Sequence, residues 1–524
     1  MNSTDTDPDG LAQLQLLQKI LPLDELAVTA RDLRNDGRRV VLAHGVFDLL
    51  HIGHIRHLKQ ASSHGDALVV TITSDAFVNK GPDRPVFREN LRAEALAALE
   101  TVDYVAISDN ATAESAIQNI RPDVYVKGVE YAEMEKDITG NIAREIDLVE
   151  SYGGKVVFTE DITFSSSSLI NEYLDVHDPN LKEYLAGLRN SGMDERVHEL
   201  VEAVSTLKVT LVGDAIIDEY QYVQALGKSP KENMIATLYE NKEIFAGGVI
   251  AAANHIAEFC AEVQVICTIG SGDDGYEDLI RSTLKPNVRL SAVILPNVPT
   301  TRKCRFIDVG YGLRKLFEVY FMDDRPVQEG PERELLDLID ESLTWCDLAV
   351  VTDFGHGLMT ENLVQLLADR APFLSVNAQS NSANLGFNLI TKYPRADYIC
   401  IDQPEARLAV HDNQSDVQKV ASDLLPKSID CPRIIVTAGR HGCISYRDGE
   451  GTSTAPALSS NVVDSVGAGD AFFAVSAPFL SVGATMQEAS FLGNVAGAMK
   501  IGIVGHRSSV EKIALIKFVT TLLK

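Results

Sequence analysis

No cysteine occurs before Cys260, and the seven that the chain carries form no Cys-x-x-Cys pair. A disulfide framework and a thiolate zinc site are both excluded by that pattern, which leaves buried free thiols. Cations are scarce as well: Lys and Arg number 47 against 74 Asp and Glu, a formal net charge of −27. A broad electrostatic surface for nucleic acid or anionic lipid needs clustered basic residues, so neither partner is expected and any phosphate site must be local. No apolar run is long enough to span a bilayer. Met1 to Gly10 is acidic and polar where a signal peptide would be basic and then apolar, so the expected location is cytoplasmic. Tandem repeats are missing, and the one low-complexity tract is Ser165 to Ser168.

What remains is globular. A chain of 524 residues, 45% hydrophobic and 23% charged, exceeds one ordinary core and implies two or three domains. Apolar residues at helical spacing run from Leu11 to Asp36. A short strand, Val40 to Ala43, then leads through His44-Gly45-Val46-Phe47-Asp48 into a helix from about His54 to Ser63. Strand-like runs at Ala67–Thr73, Tyr104–Ile107, Asp123–Val126 and Lys155–Phe158 alternate with helical stretches at Arg88–Leu99 and Ala113–Ile120, the pattern of a parallel sheet wrapped by helices. A polar passage, Asp175 to Glu195, marks a domain connection. A second alternating pattern starts at Lys208–Val212, continues through Val263–Ile269, Leu348–Thr352, Tyr398–Asp402 and Ile434–Thr437, and ends in a helix-rich stretch from Ala468. The expected fold class is α/β throughout.

Two short segments carry chemistry. Five histidines, His44, His51, His54, His57 and His64, fall in one window. Metal binding is disfavoured because no cysteine is near and Asp48 and Asp66 have no ligand-like spacing with the pair. At a helix start, His51 and His54 share a face and project toward an anion held by exposed backbone N–H groups, with Gly53 leaving the wall between them open. Paired imidazole donors there would stabilise charge developing on an α-phosphate during nucleotidyl transfer. The other segment is Asp464-Ser465-Val466-Gly467-Ala468-Gly469-Asp470. Its glycines bring N–H groups close to a phosphate at a helix N-terminus, and Asp470 on the first turn is placed to accept the proton of an attacking hydroxyl.

Residues Arg38 to Tyr173 resemble the cytidylyltransferase-like nucleotidyltransferases, specifically the nucleotidyltransferase half of the bifunctional heptose-phosphate kinase and heptose-1-phosphate adenylyltransferase family. The resemblance is carried by Gly45 to His51, His54, Lys80-Gly81, Arg84-Pro85-Val86, Arg92, Val126-Lys127-Gly128 and Ser165-Ser166-Ser167, where relatives more often have Ser-Thr-Thr. It implies that Gly45, Phe47, Gly53, Lys127, Ser165, Ser166 and Ser167 bind nucleotide, and that Asp48, Lys80, Arg84 and Arg92 face the acceptor. From about Val209 the chain resembles the ribokinase-like (PfkB) sugar kinases. Asp214, Asp218, Gly247 and Gly248 then lie on the sugar side, and Thr437, Gly439, Gly467, Ala468, Gly469 and Asn494 on the ATP side. Glu405, in Asp402-Gln403-Pro404-Glu405, would support magnesium indirectly.

Three features depart from these relatives. After Gly247-Gly248, where the relatives carry a nearby sugar-holding asparagine, the chain reads Val249-Ile250-Ala251-Ala252-Ala253 before reaching Asn254. Asn377-Ala378-Gln379 replaces an Asp-Pro-Lys segment, and the nucleotidyltransferase half precedes the kinase half instead of following it. The expected organisation is a helical arm over 1–36, a nucleotidyltransferase domain over 37–176, a linker over 177–206 and a kinase domain over 207–524. The expected activity is synthesis of a nucleotide-activated sugar. The kinase half phosphorylates a sugar or sugar phosphate with ATP; the other half joins AMP or CMP from ATP or CTP to a sugar-1-phosphate-like acceptor and releases pyrophosphate, with Mg2+ serving both. A homodimer or higher homo-oligomer is expected. The alternative is a transferase for a glycerol-phosphate-like acceptor whose kinase-like half binds ligand or assembles without turnover.

Overall fold

The computed structural model describes residues 16–82, 84–129, 141–159, 171, 178–271, 275–310, 312–459 and 461–524. Ser165, Ser166 and Ser167 lie outside the described residues, as does the start of the expected helical arm. The chain forms two compact units, one of residues 1–178 with 517–524 and one of residues 179–516.

In the first unit, helix α1 (Leu23–Asn35) buries Leu26, Ala27, Ala30 and Leu33, which recur at helical spacing, and carries Asp24 and Glu25 in its first turn where the helix dipole favours them. Strand β1 (Val40–Gly45) follows, then α2 (Ile52–Ser62), β2 (Ala67–Thr73), α3 (Glu89–Ala97), β3 (Tyr104–Ser108), α4 (Glu114–Ile120), β4 (Val124–Gly128), α5 (Asn141–Ser151) and β5 (Lys155–Thr159). The five strands are all parallel in the order β3-β2-β1-β4-β5. Both faces are covered. Val41, Ala43, Leu68 and Val70 pack with Leu58 and Leu96 on one side, while Val40, Leu42 and Val69 pack with Ile117 and Tyr125 on the other. Strand order reverses between β1 and β4, so the crevice beyond their carboxyl ends is where such a sheet binds ligands. The His44–His54 segment leaves β1 at that place.

The passage expected as a linker over 177–206 contains two helices, α6 (Pro179–Asn190) and α7 (Met193–Val204), which bury Leu181, Leu185 and Leu188, and Val197, Leu200 and Val204. Its polar residues are the outer faces of amphipathic helices, which is why composition alone reads as a connection.

The second unit is built on a nine-stranded sheet. Its strands are β6 (Lys208–Gly213), β9 (Glu262–Gly270), β10 (Val288–Leu295), β13 (Leu348–Asp353), β14 (Leu374–Ala378), β15 (Tyr398–Asp402), β16 (Arg433–Thr437), β17 (Cys443–Arg447) and β18 (Gly451–Ala455), in the order β10-β9-β6-β13-β14-β15-β16-β17-β18. Pairing is parallel as far as β16 and antiparallel beyond it. A separate four-stranded sheet, in the order β12-β11-β7-β8, is made by β7 (Ala215–Lys228), β8 (Ile235–Gly248), β11 (Arg302–Asp308) and β12 (Arg314–Phe321). Helix α8 (Val249–Ala257) leaves the end of β8. Helices α9 (Tyr276–Thr283), α10 (Glu329–Leu343), α11 (Glu361–Arg370) and α12 (Gln403–Ala409) lie between strands. The chain closes with α13 (Ala468–Ser481), buried over nearly its full length, α14 (Met486–Lys500) and α15 (Lys512–Leu523). The reversal of strand order here falls between β6 and β13, and Asp214 and Asp353 stand at those two strand ends.

Two candidate active sites

His51 is the N-cap of α2, and its Nδ1 accepts the Gly53 N–H at 3.1 Å. That bond fixes the ring at the helix mouth and brings it within 4.0 Å, centroid to centroid, of the His54 ring, at an interplanar angle of 34°. Phe47, held in the left-handed backbone region at φ 49°, closes the other side with its ring edge-on to His54 at 5.1 Å. His51 Nε2 and His54 Nδ1 are buried and have no hydrogen-bond partner among the described residues. Buried polar atoms are seldom left unmatched, so two such nitrogens on adjacent rings at a helix N-terminus define a place for an anion. Burial, followed by the positive fields of His51, His57 and Lys80, pushes the His54 imidazole down to about 3, and burial also lowers His51. Both rings are therefore neutral hydrogen-bonding groups at neutral pH in the free protein. The remaining histidines support the frame. His44 Nδ1 pairs with Thr71 Oγ1 at 2.9 Å and His57 Nδ1 with Thr159 Oγ1 at 2.8 Å.

The acceptor side looks different from what the motifs imply. Asp48 is buried, its Oδ1 accepts the N–H groups of Val86 at 2.8 Å and Phe87 at 3.1 Å, and its Oδ2 pairs with Arg84 at 3.3 Å. It folds the Arg84–Phe87 loop instead of facing solvent. Arg92 is likewise buried: its guanidinium donates to the carbonyls of Phe87 at 2.9 Å, Val46 at 2.5 Å and Thr73 at 2.9 Å, and to Asp75 Oδ1 at 2.6 Å. The residue read as a phosphate cation is a clamp joining the loop after β1, the end of β2 and the acceptor loop. Arg84 continues the network through Asn171 Oδ1 at 2.9 Å. Lys80 keeps the character expected of a phosphate ligand, with its ammonium pushed down to about 8 mainly by burial while the Asp48 charge opposes the shift. Lys127, at the end of β4, pairs with Glu145 Oε2 at 3.1 Å. Glu145 carries no motif; it lies on the buried face of α5 and also accepts the Tyr125 hydroxyl. Gly45 ends β1 beside the Phe47 ring, and Gly53 lies inside α2 between His51 and His54 in the chain.

In the second unit Asp470 sits on the first turn of α13, where unsatisfied N–H groups and the helix dipole favour an anion. Gly467 caps that helix at φ 76°, a conformation that disfavours a side chain, and a Cβ there would stand 2.8 Å from His506. Ala468 and Gly469 complete the turn. Burial raises the Asp470 carboxyl, partly offset by the His506 charge, and Gln379 Nε2 donates to its Oδ1 at 2.9 Å. A carboxylate with an elevated affinity for protons is what a base for a sugar hydroxyl requires.

The sugar-side aspartates behave oppositely. Asp214 is buried, accepts the Phe354 N–H at 2.9 Å, and is pushed up to about 7 by burial and by Asp353. Asp218 is equally buried, but the His506 ring 3.3 Å away and an ion pair with Arg305 outweigh that burial and hold its carboxyl below the usual range. Gly247 permits this approach, since a side chain there would collide with the Asp218 carboxylate; Gly248 turns the chain into α8. Val249 to Ala253 are buried, and Asn254, the first asparagine after Gly247-Gly248, is engaged elsewhere: its amide bonds the Thr283 carbonyl at 3.1 Å and the Lys285 N–H at 3.1 Å. Asn377 Nδ2 is tied to the Cys400 carbonyl at 2.8 Å. Lys303, buried on β11 in the joint field of Asp218 and Asp470, brings a cation to this side that no motif marks.

Of the residues expected on the ATP side, Thr437 and Gly439 join Asp402, Gln403 and Arg407 around a cavity of about 420 Å³. Asn494 donates to Cys443 Sγ at 3.5 Å. Asp402 and Glu405 form the capping box of α12. Glu405 accepts the N–H groups of Ser380 at 3.1 Å and Asp402 at 2.9 Å, and burial with the neighbouring Asp402 charge raises its carboxyl. Each oxygen thus accepts one N–H, and no group of three or more His, Cys, Asp or Glu suited to a metal occurs among the described residues.

Comparison with known proteins agrees with this division. The cytidylyltransferase-like family matches residues 42–172, and the pfkB carbohydrate kinase family matches residues 206–513. In the N-terminal region the chain is similar to "Bifunctional protein HldE" of Geobacter sulfurreducens, 40% identical over 156 residues, which is 29% of this chain and 30% of that protein. The protein of the same name from Geobacter metallireducens is 41% identical over 162 residues, 30% of this chain and 31% of that protein. The match thus spans under a third of the length of these curated relatives. Among solved structures, a single-site mutant of phosphofructokinase-2 from Escherichia coli covers 61% of this chain and 100% of its own at 17% identity and a TM-score of 0.50. With a ribokinase-like fold in the second unit and a family match over more than half its length, the chain belongs to the pfkB family of carbohydrate kinases and carries a cytidylyltransferase-like domain ahead of the kinase domain.

Proposed function

We propose that the chain is a bifunctional transferase that makes a nucleotide-activated sugar, with heptose phosphates the first acceptors to test. The nucleotidyl reading rests above all on the two buried, unpartnered imidazole nitrogens of His51 and His54 at the mouth of α2. A triphosphate placed against that helix presents its α-phosphate to both rings. As the acceptor's phosphate oxygen attacks and pyrophosphate leaves, the rings and the α2 N–H groups receive the charge that builds on the α-phosphate and bridging oxygens. Lys80 on the acceptor side and Lys127 at the end of β4 supply further positive charge, while Asp48 and Arg92 hold the loops that carry these groups. In the kinase half, Asp470 takes the proton of a sugar hydroxyl as it attacks the γ-phosphate of ATP, and the Gly467–Gly469 turn receives that phosphate.

Magnesium would serve both sites by lowering the repulsion among the phosphate oxygens of the bound nucleotide, with Glu405 supporting it indirectly in the kinase half. We place the reaction in the cytoplasm, where nucleoside triphosphates are abundant and all seven buried cysteines stay reduced. Homo-oligomerisation is supported by the four-stranded sheet, which leaves Leu226, Ile235, Leu238, Tyr239 and Phe317 exposed; a second copy of the chain would cover them.

One observation favours a second reading. Gln379, where the relatives carry a lysine, bonds the Asp470 carboxylate, so a kinase half that binds without turnover is the specific rival. Incubation of the purified chain with ATP or CTP and a panel of sugar phosphates, scored by pyrophosphate release, tests the first half; ATP consumption with unphosphorylated and phosphorylated sugars tests the second. Release of no pyrophosphate by folded protein with any pair would overturn the nucleotidyl assignment. Calorimetric binding of ATP without consumption would overturn the kinase assignment in favour of the rival.

A further inference from the structure

Lys500 closes α14 with no exposed surface, and neither half-reaction uses it. Its ammonium donates to three backbone carbonyls, Gly505 at 2.6 Å, Val466 at 2.9 Å and Ile503 at 3.5 Å. Among the described residues no carboxylate lies within ion-pairing distance; Asp464, Asp470 and Asp218 act on it only from farther away, and burial lowers its proton affinity. An uncompensated buried ammonium is costly, and the usual remedy is a paired carboxylate. Carbonyl oxygens converging on one positive centre are instead the surroundings that a dehydrated alkali cation receives.

The location gives this geometry a consequence. Val466 O and Gly467 N–H belong to one trans peptide and point in opposite directions, so tying the carbonyl to Lys500 aims the N–H away from the ammonium. The same ammonium holds Gly505, whose N–H donates to Asp464 Oδ2 at 2.9 Å, and Asp464 Oδ1 accepts the Val466 N–H at 3.1 Å. The turn after α14 and the loop before α13 are thereby stitched together from below. The lysine stem passes close to the loop itself, since a Cβ on Gly467 would stand 3.3 Å from Lys500 Cε. A full positive charge beneath the N-terminus of α13 adds to the field that the helix presents to an anion.

We propose that Lys500 is a built-in monovalent cation: its ammonium fills a carbonyl-lined cation site under the Gly467–Asp470 loop, so the kinase domain orders that loop without drawing an alkali ion from solution. The proposal rests on the reading of this loop as the ATP phosphate site. Lys500 is a positioning residue that acts through the Val466–Gly467 peptide.

The test measures Mg-ATP affinity by calorimetry and melting temperature on the full chain, in choline, sodium, potassium and ammonium chloride at one ionic strength. Wild-type protein is expected to give the same affinity in choline and potassium within about twofold, and the same melting temperature. Lys500→Ala should lose about tenfold or more in affinity in choline and melt lower, with potassium or ammonium restoring most of both losses. Lys500→Met, whose side chain refills the space without charge, should show the losses and no rescue. Wild-type affinity or melting temperature that rises in potassium would overturn the proposal, and so would a Lys500→Ala protein indifferent to every cation. Should Lys500→Ala fail to fold, the wild-type comparison decides: indifference to potassium supports a resident ammonium, and dependence contradicts it. If wild type binds no ATP, the nucleotide reading of the loop fails, and the melting temperatures across salts still decide the role of Lys500.

Discussion

His54 shows how far one side chain's environment defines its task. Sealed against Phe47 and beside His51, it is neutral in the free protein, with its proton affinity pushed down to about 3 chiefly by burial. A triphosphate brought against it adds negative charge and favours the imidazolium, so the ring becomes a stronger donor as charge accumulates. Two-dimensional NMR of ring-labelled histidine should show the His54 ring neutral from pH 8 down to pH 5, with its titration moving upward once ATP is bound; a titration near the ordinary histidine value in the free protein would contradict the buried geometry. Arg92 makes the opposite case. Its removal leaves the carbonyls of Val46, Thr73 and Phe87 without their donor, so Arg92→Met should lose roughly 3–5 kcal/mol of stability in urea titrations. A variant as stable as wild type with only weakened acceptor binding would restore the phosphate-ligand role. The histidine pair, Asp470 and the glycine turn were legible because their chemistry depends on local spacing. The clamp roles of Asp48 and Arg92 were not, because a charged residue in a family motif reads the same whether it meets a substrate or a carbonyl from a distant strand. Glu145, Lys303 and Lys500 were invisible for the same reason, and so was the bond of Gln379 to Asp470, since their partners lie far away in sequence.

At the scale of the element, the buried parallel strands announced themselves. β1, β2, β13 and β16 are short apolar runs because both faces of their sheets are covered. The four-stranded sheet escaped notice: β7 and β8 are long, their outer halves are exposed, and polar residues interrupt their apolar ones so that neither reads as a continuous apolar run. In helix α12 the residue expected to support magnesium indirectly, Glu405, also forms a capping box with Asp402. Asp402 accepts the Glu405 N–H at 2.7 Å and Glu405 returns the bond to Asp402. Asp402→Ala should therefore cost about 1 kcal/mol of stability through the lost cap. Calorimetric melting of the variant measures that loss, and an unchanged stability would show that the capping box contributes nothing. Because α12 also lines the cavity beside Thr437, a modest fall in ATP affinity should accompany it.

For the whole molecule, acid should destabilise more than the carboxylates alone would suggest. His44, His54, His255 and His356 are each held neutral by burial with proton affinities near 3, well under the unfolded value of 6.5. Between those limits the unfolded chain binds more protons, so the stability they contribute is complete above about pH 6.5 and falls as the pH drops toward 3. Asp214, raised to about 7, and Glu405 act in the other sense, contributing most at low pH and losing that contribution as the pH rises through their folded values. With five lowered histidines, His51 included, against the four raised carboxyls Asp214, Asp402, Glu405 and Asp470, the melting temperature should fall between pH 7 and pH 5, and a rise over that interval would contradict the balance. A second copy across the four-stranded sheet predicts that a Leu238→Lys, Tyr239→Lys double variant sediments as a smaller species than wild type. The central claim is two independent phosphate chemistries on one chain, and pyrophosphate release by His54→Ala tests it most directly. The account predicts a fall on the order of a hundredfold to a thousandfold, with ATP consumption by the kinase half and the melting temperature unchanged. Undiminished release, or an equal loss of both activities in a folded variant, would contradict it.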